Sequence, residues 1–135
     1  MYGICNLSIV PLRLAASDAS EMVNQVVFGE HFLILEKDKK WSKIKLAFDG
    51  YEGYIDNKQY EEISHNTFVD IENHTKNYAG ELIDFITDQY NSLTTIPLGG
   101  HLPKIEHTSF TINTSVYTYD GKINGSVLPK QSIVD

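Results

Sequence analysis

The chain has almost no sulfur: one cysteine, Cys5, and two methionines in 135 residues. A single cysteine excludes an intrachain disulfide, and nothing in the composition marks an oxidising compartment. Basic residues are also scarce, with 11 Lys and Arg against 18 Asp and Glu, for a formal net charge of −7. The deficit is shared, −3 up to His65 and −4 beyond it. A chain without a basic face gains little from counterion release on phosphates, so nucleic acid is not an expected partner. Anionic membrane surfaces are disfavoured for the same reason. No apolar run approaches the roughly 20 residues that span a bilayer. The start, MYGICNLSIVPLRL, lacks a basic n-region and is cut by Pro11, so it does not read as a signal peptide. With Met1 as the native start, the product is expected to be cytoplasmic.

Catalytic motifs are missing too. There is no G-x-S-x-G, no phosphate loop and no dinucleotide fingerprint. His31, His65, His74, His101 and His107 form no H-x-x-x-H pair and no Cys/His cluster, so neither a zinc site nor any other cofactor is expected. Gly99-Gly100-His101 lacks the spacing of a phosphate cradle. Glu61 and Glu62 are adjacent, point to opposite sides and read as solvated. Cys5 has an apolar, strand-like context with no His nearby in sequence, which suits a small buried hydrophobe. A catalytic thiol is the competing reading.

What is present favours β structure. Hydrophobic content of 41% and charge of 21% are globular values. Eight Tyr, six Phe and many Val, Ile and Thr suit strands. The length allows one domain or two very small ones. Residues 4 to 14 read as a strand with Ile4, Leu7, Val10 and Leu12 as core candidates, edge or bulged because of Pro11. Ala15 to Glu21 is a polar loop. Met22 to Phe28 is apolar, and Gly29-Glu30 turns the chain. Phe32 to Leu35 is a candidate buried strand, and Lys37 to Lys40 a charged hairpin tip. In WSKIKLAFDGYEGYIDNKQY, Trp41 to Tyr60, Ile44, Leu46 and Phe48 alternate with polar or small residues. Asp49-Gly50 supplies a tight turn, and Gly53, Tyr54 and Ile55 restart the sheet. The segment NKQYEEIS suits a short helical or 3₁₀ turn. Asn66 to Asn77 is polar and marks a candidate boundary. Leu82, Ile83, Phe85, Ile86, Tyr90 and Leu93 fall at helical spacing. Phe110, Ile112 and Val116 alternate like a strand. Tyr119 to Lys122 suits a hairpin turn, with Ile123 to Leu128 returning and a polar tail behind it. The expected fold is mostly β: two small SH3-like barrels in tandem, residues 1–65 and 66–135, the second divergent and carrying at most a short helix.

The remaining chemistry is binding. Trp41 is out of phase with Ile44, Leu46 and Phe48, which points it outward or into a groove. Tyr51 and Tyr54 flank the glycine-rich turn, and Glu21 ends the polar loop on the same rim. A carboxylate beside an aromatic ring is a receptor for an ammonium group. Packing roles for Trp41 and Tyr54, and a solvated Glu21, remain open on these residues alone.

The segments NLSIVPLR, SEMVNQVVFGEHFLIL and KWSKIKLAFDGYEGYIDNKQY, in that order, closely resemble the first SH3b (bacterial SH3-like) domain of NlpC-type cysteine peptidases. Those papain-like enzymes cut γ-D-glutamyl–diamino acid bonds in murein peptides. The resemblance covers residues 3 to 63. IPLGGHLP and SFTINTSVYTYDGKING are similar to the second, divergent SH3b-like domain of that family. The resemblance implies that a catalytic domain comes next, with its own cysteine and histidine. The sequence ends at Asp135, about where that domain would start, and Cys5 does not match its nucleophile. The chain as given is therefore expected to be non-catalytic. The resemblance further implies that Tyr51, the tyrosine of the G-Y-x-G turn, and Glu21 recognise the free amine of a terminal L-Ala; Trp41 joins them as a substrate-binding candidate on its out-of-phase position alone. The implied partners are a short murein peptide, L-Ala-γ-D-Glu-diamino acid, and the protein's own C-terminal catalytic domain, in murein-peptide recycling. A free-standing SH3b module binding wall peptide or a protein is the alternative. An independent small enzyme built on Cys5 is the third reading.

Overall fold

The computed structural model describes residues 1–80 and 83–124. The first half is built from β1 (Tyr2–Ile4), β2 (Ile9–Arg13), β3 (Met22–Val27), β4 (His31–Lys37), β5 (Trp41–Leu46), β6 (Glu52–Asp56) and β7 (Glu61–Ile63). They form one seven-stranded sheet in the order β3-β2-β6-β5-β4-β1-β7. A helix, α1 (His65–Asn73), links it to β8 (Tyr78–Ala79), β9 (Ile83–Asp88), β10 (Leu93–Pro97), β11 (Ser109–Ile112), β12 (Ser115–Thr118) and β13 (Ile123–Asn124). Four of these strands make a second sheet, β10-β9-β12-β11, while β13 pairs with β8. The fold is mostly β, of small SH3-like units, with one short helix among the described residues.

Each strand follows its side-chain period. On β4, Phe32 and Ile34 are buried while Leu33 and Leu35 are exposed, so this strand is covered on one face rather than both. On β5, Ser42, Ile44 and Leu46 face inward. The alternation stops there: Phe48 lies in the turn and is 55% exposed, so it is not a core residue. Gly50 in that turn has φ +74, the left-handed region that glycine enters at no steric cost. The strand expected over residues 4–14 divides in two, and Leu7, in the break, is exposed. Strand β2 is interior, between β3 and β6, and carries a register shift at Leu12/Arg13 just beyond Pro11. The 3₁₀ turn expected after β6 covers Asn57–Gln59.

The second half departs further from its sequence pattern. The polar stretch expected to be a boundary is α1, capped by Ser64, whose hydroxyl accepts from Thr67 N–H at 3.0 Å. The helical spacing between residues 82 and 93 belongs instead to strands β9 and β10; Leu82 lies outside the described residues. Asp88 explains the break. Its Oδ1 accepts from the backbone N–H groups of Tyr90 and Ser92, both at 2.9 Å, and Asn91 follows at φ +64. That Asx-type turn reverses the chain where a helix would have continued. Tyr119 to Lys122 is no hairpin turn either: β12 pairs with β11 and β9, and Ile123 pairs with Ala79. The Tyr119 hydroxyl donates to Lys122 O at 2.6 Å and redirects the chain. The remainder of the expected return strand and the tail, residues 125–135, lies outside the described residues.

Two apolar cores result. One, with Val10, Leu12, Val26, Phe32, Ile44 and Ile55, fills the first sheet. The other joins Ile86, Ile96, Leu102, Phe110 and Tyr117 to Ile4, Phe28 and Ile63 of the first half. Phe28 packs edge-on against both Phe110 and Tyr117, at ring-centroid separations of 6.0 and 5.7 Å.

Candidate functional site

Tyr51 stands at the β5–β6 turn, 41% exposed. Its N–H is held by Asp49 Oδ1 at 3.0 Å, and its carbonyl accepts from Leu46 N–H at 2.9 Å. Glu21 is exposed at the head of β3, and its carbonyl accepts from Leu14 N–H. Since Arg13 pairs with Tyr54, Glu21 falls about level with Gly53, two strand spacings from β6, or roughly 10 Å. The ladder thus brings Glu21 and Tyr51 toward the same end of the sheet. Trp41 pairs with Asp56, at the opposite end of the hairpin. The loop carboxylate that approaches Trp41 is Asp18, through Lys40: Lys40 Nζ lies 3.6 Å from Asp18 and 5.9 Å from the indole centroid. Tyr54 is half-buried between Arg13 and Lys43.

Cys5 is fully buried, and its Sγ donates to Leu7 O at 3.2 Å. Burial pushes the thiol up to about 12, with the nearby Glu30 carboxylate adding to the rise. It stays protonated at neutral pH, and the thiolate that nucleophilic catalysis needs is not formed. Among the described residues no three or more His, Cys, Asp or Glu side chains are placed to hold a metal ion. Among them, too, no helix is long and apolar enough to cross a membrane.

A second polar cluster, which the sequence does not announce, lies where the halves meet. His31, at the start of β4, faces Glu72 of α1, Nε2 to Oε1 at 2.5 Å. His101 comes from the loop after β10. Its backbone N–H donates to Phe28 O at 2.8 Å, and its Nδ1 donates to Gly29 O at 3.0 Å. The two imidazoles lie 5.5 Å apart, and Tyr78 lies 5.5 Å from His101. Burial holds the His101 ring down to about 4, so it is neutral at neutral pH. Burial also pushes the Tyr78 hydroxyl up, helped by Glu30 and Glu72. His31 and Glu72 are 41 positions apart in sequence, and His101 lies further still from His31, so no local motif brings them together. The one signal was Ser64, followed by Phe68 and Ile71 at i, i+3 spacing, which marks a capped helix and would have turned Glu72 toward the core side.

Residues 12–59 match the family described as the bacterial dipeptidyl-peptidase SH3 domain. The match falls wholly within the first half of the chain, the SH3-like unit. Among solved structures, the chain is similar to an NlpC/P60 family protein from Bacillus cereus ATCC 10987, with a TM-score of 0.67 and 14% identity. That likeness covers 98% of this chain and 60% of the other, so both halves of this chain share their fold with part of a longer protein. No curated protein matches the sequence.

Proposed function

We propose that this chain is the non-catalytic recognition region of an NlpC/P60-type peptidase acting on γ-D-glutamyl–diamino acid bonds of murein peptides. The observation that carries the reading is the combination of an SH3 family match over residues 12–59 with an NlpC/P60 fold likeness over nearly the whole chain. In this reading the exposed Tyr51 and Glu21 receive the free amine of a terminal L-Ala. Trp41 lines the approach from the far end of the hairpin. The carboxylate supplies a charge-assisted hydrogen bond, and the phenol ring an apolar wall. A peptide with a blocked amine leaves the carboxylate desolvated without a cation, which costs binding.

Two measurements test this. The intact mass of the native gene product is expected to exceed 15.3 kDa by roughly one further domain; a product of 15.3 kDa would indicate a free-standing binding module. In the full-length enzyme, Tyr51→Ala and Glu21→Ala are expected to lower kcat/KM on L-Ala-γ-D-Glu-diamino acid about tenfold while leaving the N-acetylated peptide unchanged. Unaltered kcat/KM on the free-amine peptide in both variants would remove these residues from the site.

A further inference from the structure

A partly open cavity of about 340 Å³ lies between the SH3 unit, α1 and the loop carrying His101. Its size is at the lower end for small-molecule sites. Val27, Ala47 and Phe48 line it from the SH3 side, and Tyr78 and Gly99 from the other. The charged groups on its wall are already matched. Glu72 meets His31 through Oε1 at 2.5 Å and Lys76 through Oε2 at 3.7 Å. The Lys76 ammonium also donates to Ile71 O at 3.0 Å and to Glu72 O at 2.9 Å. Glu30 Oε1 accepts from Val27 N–H at 3.1 Å. An ionic ligand would have to disturb these pairings and shed its own water to enter a mostly apolar space.

Two neutral polar atoms on the wall are uncommitted. Tyr78 is buried, and its hydroxyl has no hydrogen-bond partner among the described residues. His101, also buried, gives its Nδ1 proton to Gly29 O, so the neutral ring keeps a lone pair on Nε2. No donor among the described residues meets that lone pair. Burial holds this ring down to about 4, so it stays uncharged at neutral pH. The His101 and Tyr78 rings lie 5.5 Å apart, which puts one spare donor and one spare acceptor on the same stretch of wall.

We propose that this cavity binds a small neutral molecule: a hydroxyl group on a compact apolar or aromatic body. The hydroxyl donates to His101 Nε2 and accepts from the Tyr78 hydroxyl, while the body packs against Val27, Ala47 and Phe48. A ligand of the same shape without the hydroxyl leaves both wall atoms unpaired, which costs binding. The site is separate from the Tyr51 and Glu21 rim, and the inference does not rest on the peptide reading.

The test is a titration of the ¹⁵N-labelled 135-residue chain with benzyl alcohol, toluene, benzylamine and benzoate at neutral pH, followed by amide chemical shifts. Benzyl alcohol is expected to saturate with a Kd on the order of 1 mM, toluene to bind several-fold more weakly, and the two ions about tenfold more weakly. The shifts should fall on Val27, Ala47, Gly99 and His101. Tyr78→Phe removes one oxygen from the wall; it should weaken benzyl alcohol several-fold and leave toluene unchanged, with the folded spectrum retained. Should that variant unfold, Phe48→Ala, at an exposed side chain, carries the test by weakening both ligands. Absence of saturation by benzyl alcohol, equal binding of toluene, benzylamine or benzoate, or unchanged benzyl alcohol binding in the folded variant overturns the proposal. Shifts confined to Glu21 and Tyr51 overturn it as well, while leaving the peptide reading standing.

Discussion

At the residue scale, two positions decide more than their neighbours. Gly53 sits in β6, just after the Asp49-Gly50 turn, where backbone freedom is the usual reason for a glycine. The structure assigns a different reason. Gly53 is not among the glycines with positive φ, but a Cβ there would come within 2.6 Å of Leu12 Cγ and 3.0 Å of Arg13 O. The glycine allows β2 and β6 to approach closely over the core. Gly53→Val is therefore expected to destabilise the SH3 unit by about 1–3 kcal/mol through overpacking; a variant melting at the wild-type temperature would refute this. His101 is the second position. Burial lowers its ring from 6.5 to about 4 in the folded chain. Below pH 6.5 the unfolded chain takes up a proton that the folded chain refuses, so stability falls as pH falls from 6.5 toward 4 and then levels for this group. The loss is at most on the order of 3 kcal/mol. Urea melts of wild type and His101→Gln across that range check it: the variant should lose the part of the slope that this ring contributes.

At the element scale, α1 shows how a polar stretch becomes structure. Its nine residues are too few to be stable alone. Ser64 satisfies an orphan N–H at its start, and Ile71, nearly fully buried, anchors it to the second core. The Tyr2 ring packs tilted against Phe68, centroids 4.5 Å apart, tying the helix to β1. Loss of the cap in Ser64→Ala is expected to cost about 1 kcal/mol. Ile71→Ala leaves a cavity in the core and should cost about 2–5 kcal/mol. Equilibrium denaturation orders the two, and a Ser64→Ala loss exceeding that of Ile71→Ala would overturn the view that packing, not capping, holds the helix. The β5–β6 hairpin was legible because its signals are local: alternation in the strand, then Asp49-Gly50 at the turn. Strands β9 and β10 were not, because the spacing of their apolar residues also fits a helix. The Asp88 side chain, bonding to nearby backbone, reverses the chain between them, and pairing with β12 holds β9 in the sheet.

At the scale of the whole molecule, the halves share a core. Phe28, Ile4 and Ile63 leave the SH3 sheet to pack with Phe110 and Tyr117, while Asn113 Nδ2 donates to Glu62 O at 2.9 Å and to Glu61 Oε1 at 2.8 Å. Gly29, at φ +82, lets the chain turn directly beneath His101 O, where a Cβ would come within 1.9 Å. Such coupling predicts one cooperative unfolding transition for residues 1–135. Phe28→Ala should cost about 3–5 kcal/mol and separate it into two. Calorimetry with a single transition in the variant would show that the halves are coupled elsewhere.

The sequence alone set the β-rich class, the hairpin with its Asp-Gly turn, the buried cysteine and the acidic balance, because each depends on composition or on neighbours a few residues apart. It also carried the order of segments by which the SH3 unit is recognised. Tertiary structure alone decided which carboxylate lies near Trp41, why Gly53 must lack a side chain, and that His31, Glu72 and His101 share one cavity. Those outcomes depend on which strands and loops meet across dozens of residues, and no local pattern of side chains encodes that meeting.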